Sequence, residues 1–189
     1  LSIEDYILYG GMVHAFALGY SLEALRFKKS CFGAIFWMYN DAWGEAGWTV
    51  IDYYLRRKVP YYAVKRALAH QKLIIRRDGN DFVIQGVNDT PNPVTVSVEY
   101  GYLSFDGTVR ELKNAELTLE PHSRAYLLRE AIPDRDYKKG SIVVIPKNGS
   151  LDSVILRTAN LRDLIFATVP VRVETVERKE KSVIVTVFA

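Results

Sequence analysis

Two periodicities divide the chain. Near its start the apolar positions Ile3, Tyr6, Ile7, Gly10, Val13, Phe16, Ala17 and Tyr20 fall at intervals of three and four, which is the spacing of one helical face. Ser2 stands before them as an N-cap, and Glu4 and Asp5 put negative charge in the first turn, where the helix dipole favours it. The helix is predicted to end within 27–30, with Lys28 and Lys29 at its negative pole. A continuous apolar run, FGAIFWMY at 32–39, follows. A one-sided antiparallel strand would alternate, so this run predicts a parallel-type strand covered on both faces. Pro60 then sits where a first helical turn tolerates it, and YYAVKRALAHQ continues a second helix. Helix, buried strand, long loop and helix make one α/β piece. One strand makes no sheet, so the rest of that sheet is expected from elsewhere.

From Lys72 onward the period is two. Val94, Val96, Val98, Tyr100 and Tyr102 alternate without a fault, as do Val183, Val185 and Val187. Asp78-Gly79, Asp106-Gly107 and Asn148-Gly149 mark turns. Strand-length segments lie at 72–77, 81–88, 94–103, 108–112, 115–119, 124–130, 142–146 and 153–158, joined by short polar connections. That density predicts an immunoglobulin-like antiparallel β-sandwich. The remainder reads as two strands around the charged turn ETVERKEKS, the start of a second sandwich.

Composition narrows the class. A hydrophobic share of 49% with mean hydropathy −0.03 is that of a globular protein. No run of eighteen apolar residues occurs, so no membrane-spanning helix is expected. The first residues, LSIEDYILYGG, are acidic and lack an initiator Met, and the chain is expected to be the interior of a longer gene product. One cysteine, Cys31, allows no internal disulfide. The net charge of +3 is mild, and Lys and Arg are spread out, so nucleic acid is not an expected partner. His14, His70 and His122 are scattered, which leaves no metal constellation, and no phosphate loop or nucleophile elbow is present. No cofactor is expected. Asn88-Asp89-Thr90 and Asn148-Gly149-Ser150 fit a glycosylation pattern but are read as turns.

The densest chemistry lies at 36–54, FWMYNDAWGEAGWTVIDYY, which holds all three tryptophans. The apolar face of a pyranose stacks on an aromatic ring, while its hydroxyls bond to amides and carboxylates. Trp37, Asn40, Asp41, Trp43 and Trp48 are therefore candidate sugar-binding residues. Plainer roles stand beside these. Trp37 could be a core aromatic, Trp43 and Trp48 loop packing, and Asn40-Asp41 the cap of a turn. Asp52 with Arg56 or Arg57 reads as a structural ion pair, and His14 as a core histidine. Asp41 and Glu45, as neighbouring loop carboxylates, are a weak candidate catalytic pair.

The stretch GAIFWMYNDAWGEAGWTVIDYYLRRKVPYYAVKRAL at 33–68 resembles the end of the catalytic barrel in glycoside hydrolase family 2, above all the β-mannosidases and exo-β-glucosaminidases. The motif is Trp-x-x-Asn-Asp-x-Trp, then a second Trp, Asp-Tyr, a basic pair and Tyr-Tyr-x-x-Lys-Arg. Here these are Trp37, Asn40, Asp41, Trp43, Trp48, Asp52-Tyr53, Arg57-Lys58, Tyr61-Tyr62 and Lys65-Arg66. VIQGVNDTPNPVTVSVEY at 83–100 is similar to the opening strands of the sandwich that follows that barrel. The resemblance is good over 30–130 and weak after about 160. It implies an α+β fragment: the tail of a (β/α)8 barrel (helix–strand–helix) followed by an immunoglobulin-like antiparallel β-sandwich. The implied divisions are 1–70 as the C-terminal barrel segment, 71–162 as the sandwich, and 163–189 as two further strands.

The resemblance further implies retaining hydrolysis of terminal β-linked sugars by two glutamates on the fourth and seventh barrel strands, about 5–5.5 Å apart. Neither glutamate motif precedes residue 32, so both are expected upstream, and no catalytic residue is expected in this chain. Glu99-Tyr100-Gly101 imitates the nucleophile motif but lies on an alternating strand. The implied partner is a β-linked oligosaccharide, a β-mannoside foremost, with Trp37 as platform. Met38 and Tyr39 replace a common Gln and Leu, and Gly44-Glu45-Ala46-Gly47 replaces a Pro-containing segment, so glucosaminide, galactoside and glucuronide specificities follow behind. Either the fragment forms a homodimer or helix 3–29 folds over the exposed strand. Two other classes remain open. One is a free-standing carbohydrate-binding β-sandwich using Tyr100, Tyr102 and Phe105. The other is a nucleic-acid binder using Arg56, Arg57, Lys58, Lys65 and Arg66.

Overall fold

The computed structural model describes residues 2–28, 30–45, 47–147, 151–166, 171–180 and 182–188. Helix α1, Ile3–Phe27, begins with a capping box: Ser2 Oγ accepts from the Asp5 amide, and the Asp5 carboxylate accepts from the Ser2 amide. Helix α2, Val59–Ala67, carries Pro60 in its first turn and ends earlier than the sequence pattern predicts. The two helices pack on each other around Leu22, Val50, Val64 and Ala67, with Leu18, Phe36, Ile51 and Tyr61 at the edges. The expected apolar face of α1 is thus buried mainly at its C-terminal end. Ile3, Tyr6, Ile7, Val13 and Tyr20 stay exposed. Periodicity marks which face is apolar, and a partner decides whether it is covered.

The run 32–39 corrects a prediction: it forms no strand. A strand exists by virtue of a hydrogen-bonded neighbour, and this run has none apart from an isolated parallel bridge just beyond it, between Asn40 and Ile51. Phe32 is 93% exposed and Ile35 is fully so. Nor does α1 cover the run, since Phe32, Ile35, Trp37 and Tyr39 are exposed. Among these residues Phe36 turns inward to the helical core.

The sandwich follows. Strands β1 (Gln71–Asp78), β2 (Asp81–Asn88) and β5 (Ser123–Ala131) form one antiparallel sheet in the order β1-β2-β5. Strands β3 (Val94–Ser104), β4 (Arg110–Leu119), β6 (Gly140–Pro146) and β7 (Val154–Ile155) form the other, in the order β4-β3-β6-β7. The predicted alternation holds along β3, where Val96, Val98, Tyr100 and Tyr102 are buried. Val96, Val98 and Tyr100 join Leu73, Phe82, Ile84, Leu117, Leu119, Ile142 and Val144 in one core. Gly101 lies between the tyrosines at φ 143°, and a Cβ there would stand 2.2 Å from the Glu111 carbonyl on β4. The segments predicted at 108–112 and 115–119 are one strand, because Lys113 and Asn114 pair with β3 instead of turning. Gly79 and Gly107 hold their turns with φ of 65° and 73°, while the turn at Asn148-Gly149 lies outside the described residues. Beyond residue 163, β8 (Arg172–Lys179) and β9 (Ser182–Phe188) make a separate two-stranded sheet with no buried position. Strand β8 takes in most of the predicted charged turn, which is correspondingly shorter.

Side chains lock the helical piece to the sandwich. Arg26 on α1 donates to the Ala67 and Ala69 carbonyls at 2.6 and 2.7 Å and to Asp89 at 2.7 Å. Lys72, almost wholly buried, pairs with Glu23 at 3.0 Å. Arg124 on β5 donates to the Cys31 carbonyl at 2.7 Å, just before the exposed run. Phe27 meets Tyr126 edge to face. The run that leads to Trp37 therefore starts from a fixed point.

Candidate functional site

Residues 42–49 form a loop closed at its base by main-chain bonds. The Asp41 amide donates to the Ile51 carbonyl at 3.1 Å, and the Val50 and Ile51 amides both donate to the Tyr39 carbonyl, at 3.2 and 3.0 Å. A second turn follows at once. The Asp52 carboxylate accepts from the Arg56 amide at 2.8 Å and from its guanidinium at 2.6 Å, the structural ion pair predicted from sequence. Leu55 takes a left-handed conformation inside that turn, at φ 61°.

All three tryptophans face solvent. Trp37 is 78% exposed, Trp43 67% and Trp48 72%. Trp43 Nε1 donates to Glu45 at 3.1 Å. Trp48 sets its ring edge-on to His14, with centroids 5.9 Å apart. His14 is half-buried at this contact and not a core residue; burial first, then the nearby Lys58 charge, lowers its pKa. Asn40 is exposed beside the loop base and donates to the Asp41 carbonyl at 3.3 Å.

Asp41 is different. The residue is 4% exposed and its carboxylate accepts no hydrogen bond. Lys58 Nζ stands 3.8 Å from Oδ2 and itself donates to the Gly47 carbonyl and Thr49 Oγ1, each at 2.9 Å. Asp41 and Glu45 are no acid/base pair in this geometry, since one is sealed inside and the other serves Trp43. Sequence reasoning named Lys58 in the motif and in a basic cluster, but not as a partner of this loop. Its signal was the basic pair Arg57-Lys58, which carries no hint of where the ammonium points.

Among the described residues, Tyr100, Tyr102 and Phe105 form no exposed aromatic strip on the sandwich. Tyr100 and Tyr102 are core, with their hydroxyls donating to Glu130 at 2.7 Å and to the Asp136 carbonyl at 3.0 Å. Burial, reinforced by Glu130, pushes Tyr100 up to about 12. Phe105 rests on Phe166. Of the basic cluster, Arg56 is paired with Asp52, Arg57 lies over the Tyr61 ring, and Lys58 is turned into the loop. Glu99 is held by Arg110 and Lys147, as befits a structural residue. Among the described residues no group of three or more His, Cys, Asp or Glu is placed to hold a metal ion, and no helix is long and apolar enough to cross a membrane.

Comparison with known proteins gives this surface a context. A β-D-mannosidase from Dictyoglomus thermophilum superposes with a TM-score of 0.89 and 27% identity, over 98% of this chain and 23% of that one. β-Mannosidase B of Aspergillus niger is 28% identical over 153 residues, 70% of this chain and 18% of the relative. By these likenesses the chain is similar to part of a β-mannosidase-like glycoside hydrolase. β-Mannosidase B of Emericella nidulans is 31% identical over 86 residues, 43% of this chain and 10% of the relative. An exo-chitosanase of Amycolatopsis orientalis shares the fold at TM-score 0.63 and 19% identity, over 83% of this chain and 20% of that one. No family model matches the chain. This β-mannosidase-like segment spans less than a quarter of the length of these relatives.

Proposed function

We propose that the segment belongs to a retaining exo-β-glycosidase and supplies the aromatic edge of its sugar subsite. The observation that carries this is three exposed tryptophans, two of them on one hydrogen-bonded loop, in a chain that is similar to β-mannosidases. Trp37 is the sugar platform, Asn40 a hydroxyl partner, and Trp43 and Trp48 the flanking wall. Asp41, with no exposed side-chain surface, serves the loop from within. Residues 1–70 are the end of the catalytic barrel, 71–162 an accessory sandwich, and 163–189 the opening of a further β unit. The glutamates that act as nucleophile and acid/base lie elsewhere in the longer protein, and a terminal β-mannoside is the favoured substrate. Alone, the segment associates with itself through its uncovered apolar faces.

The test uses the longer protein that contains this segment. Stacking that improves as the sugar flattens toward an oxocarbenium-like transition state is differential binding, so Trp37→Ala lowers kcat as well as kcat/KM. We expect a loss in kcat of about tenfold or more on an aryl β-mannoside, equivalent to about 1.4 kcal/mol. A folded variant with unchanged kinetics would falsify the platform role.

A further inference from the structure

Asp41 has an unmet need. Its side chain has no exposed surface, yet neither carboxylate oxygen accepts a hydrogen bond. A carboxylate taken out of water is costly unless a cation or donors answer it. At 3.8 Å from Oδ2, the Lys58 ammonium is close enough for Coulombic attraction but beyond hydrogen-bond reach. An ammonium has three donors, and two of these are engaged by the Gly47 carbonyl and Thr49 Oγ1. Those acceptors flank Trp48 on either side. The Lys58 main-chain amide also donates to the Val50 carbonyl at 3.0 Å, so backbone and side chain grip the same limb of the loop. Trp48 in turn leans on His14 of α1.

We propose that Asp41 and Lys58 are a pair of positioning residues that hold Trp48, and with it the substrate-facing loop, against α1. Two neutral acceptors alone would leave a partly exposed lysine free to swing into solvent. The sealed carboxylate removes that freedom, because water cannot replace the ammonium as its counter-charge. The attraction keeps the ammonium beside the two acceptors that bracket Trp48. The pair explains why an acidic residue of the aromatic segment is turned inward while its neighbour Asn40 faces out. Its value to substrate binding rests on the proposal that this loop borders a sugar site.

All three tryptophans lie within 37–48, so fluorine NMR of the chain labelled with 5-fluorotryptophan reports this segment alone. Trp48→Phe assigns the relevant resonance. In Lys58→Met the Trp48 resonance shifts and broadens, and amides in 47–51 exchange about tenfold faster by local opening. The Trp37 resonance and amide exchange in β2 and β3 stay as they are. Lys58→Arg, which keeps a cation and donors, holds exchange within about twofold of the parent. Asp41→Asn loosens Trp48 in the same direction, and the double variant Asp41→Asn/Lys58→Met is no worse than the worse single change, as coupled residues require. An unmoved Trp48 in Lys58→Met, additive single effects, or equal loosening of Trp37 and the sandwich each overturns the pair. Should Lys58→Met fail to fold, Asp41→Asn decides the matter, since it leaves no unpaired buried charge; an unmoved Trp48 there has the same force. No sugar is present in these measurements, so their failure leaves the sugar-site proposal standing, and unchanged kinetics in Trp37→Ala leaves the pair standing.

Discussion

Single residues in this chain carry distinct electrostatic work, and Asp106 is the clearest case. One carboxylate oxygen accepts from Ser104 Oγ at 2.6 Å, from Thr108 Oγ1 at 2.8 Å and from the Thr108 amide at 3.0 Å. The Ser104 hydroxyl first, then the Thr108 amide and hydroxyl, hold its pKa down at about 2. The unfolded value is about 3.9, so between these values the unfolded chain binds the extra proton. The stabilisation is therefore complete above the unfolded value and is lost as pH falls through the folded one. Asp106→Asn keeps an acceptor but no charge, and we expect it to flatten the loss of stability between about pH 4 and about pH 2. Urea midpoints across that window measure this, and parallel pH profiles for the two proteins would speak against it. The turn itself was legible in Asp106-Gly107. The convergence of three donors on one oxygen was not, since it depends on where Ser104 and Thr108 end up.

At the scale of elements, the same apolar chemistry has opposite consequences in the two halves. Ile142 on β6 is fully buried in the sandwich core, whereas Ile7 on α1 is more than half exposed. Truncating a buried isoleucine loses transfer energy and leaves a cavity, so Ile142→Ala should destabilise by about 2–5 kcal/mol. Ile7→Ala removes surface that is already in water and should stay within about 0.5 kcal/mol. Denaturant midpoints of the two variants give the comparison, and similar losses would mean that the α1 face is covered in solution. The alternation in β3 told the inward face correctly because both sheets that bury it lie in this chain. The helical stripe of α1 did not, because the core it shares with α2 gathers at its C-terminal half and leaves Ile3, Tyr6, Ile7 and Val13 exposed.

At the scale of the whole molecule, the uncovered faces of α1, of 32–39 and of the β8–β9 hairpin present apolar surface unusual for a monomer. Sedimentation should show concentration-dependent self-association, and a monodisperse monomer with weak hydrophobic-dye binding would remove that expectation. The isolated segment should hydrolyse no aryl β-mannoside. Retaining cleavage needs two positioned carboxyl groups, and the carboxylates of the aromatic loop are either sealed, as in Asp41, or bonded to a tryptophan, as in Glu45. Measurable turnover that survives rigorous purification would contradict this and reopen the search for a nucleophile here.

What the amino-acid order determined by itself was local or strictly periodic. The capping box at Ser2 and Asp5 depends on neighbours three residues apart. The inward face of β3 follows from side chains alternating across a strand, and the Gly79 and Gly107 turns follow from backbone conformations that glycine takes without strain. The aromatic segment was likewise visible as a cluster. Tertiary structure decided everything that needed a partner distant in sequence. A run such as 32–39 becomes a strand when a neighbour supplies hydrogen bonds along its length, and here Val50 and Ile51 reach just Tyr39 at its end. Whether Asp41 meets solvent or the Lys58 ammonium depends on how the loop closes between Tyr39 and Ile51. Closure is set by main-chain bonds and by the packing of α1 on α2, and no spacing of residue types encodes either directly.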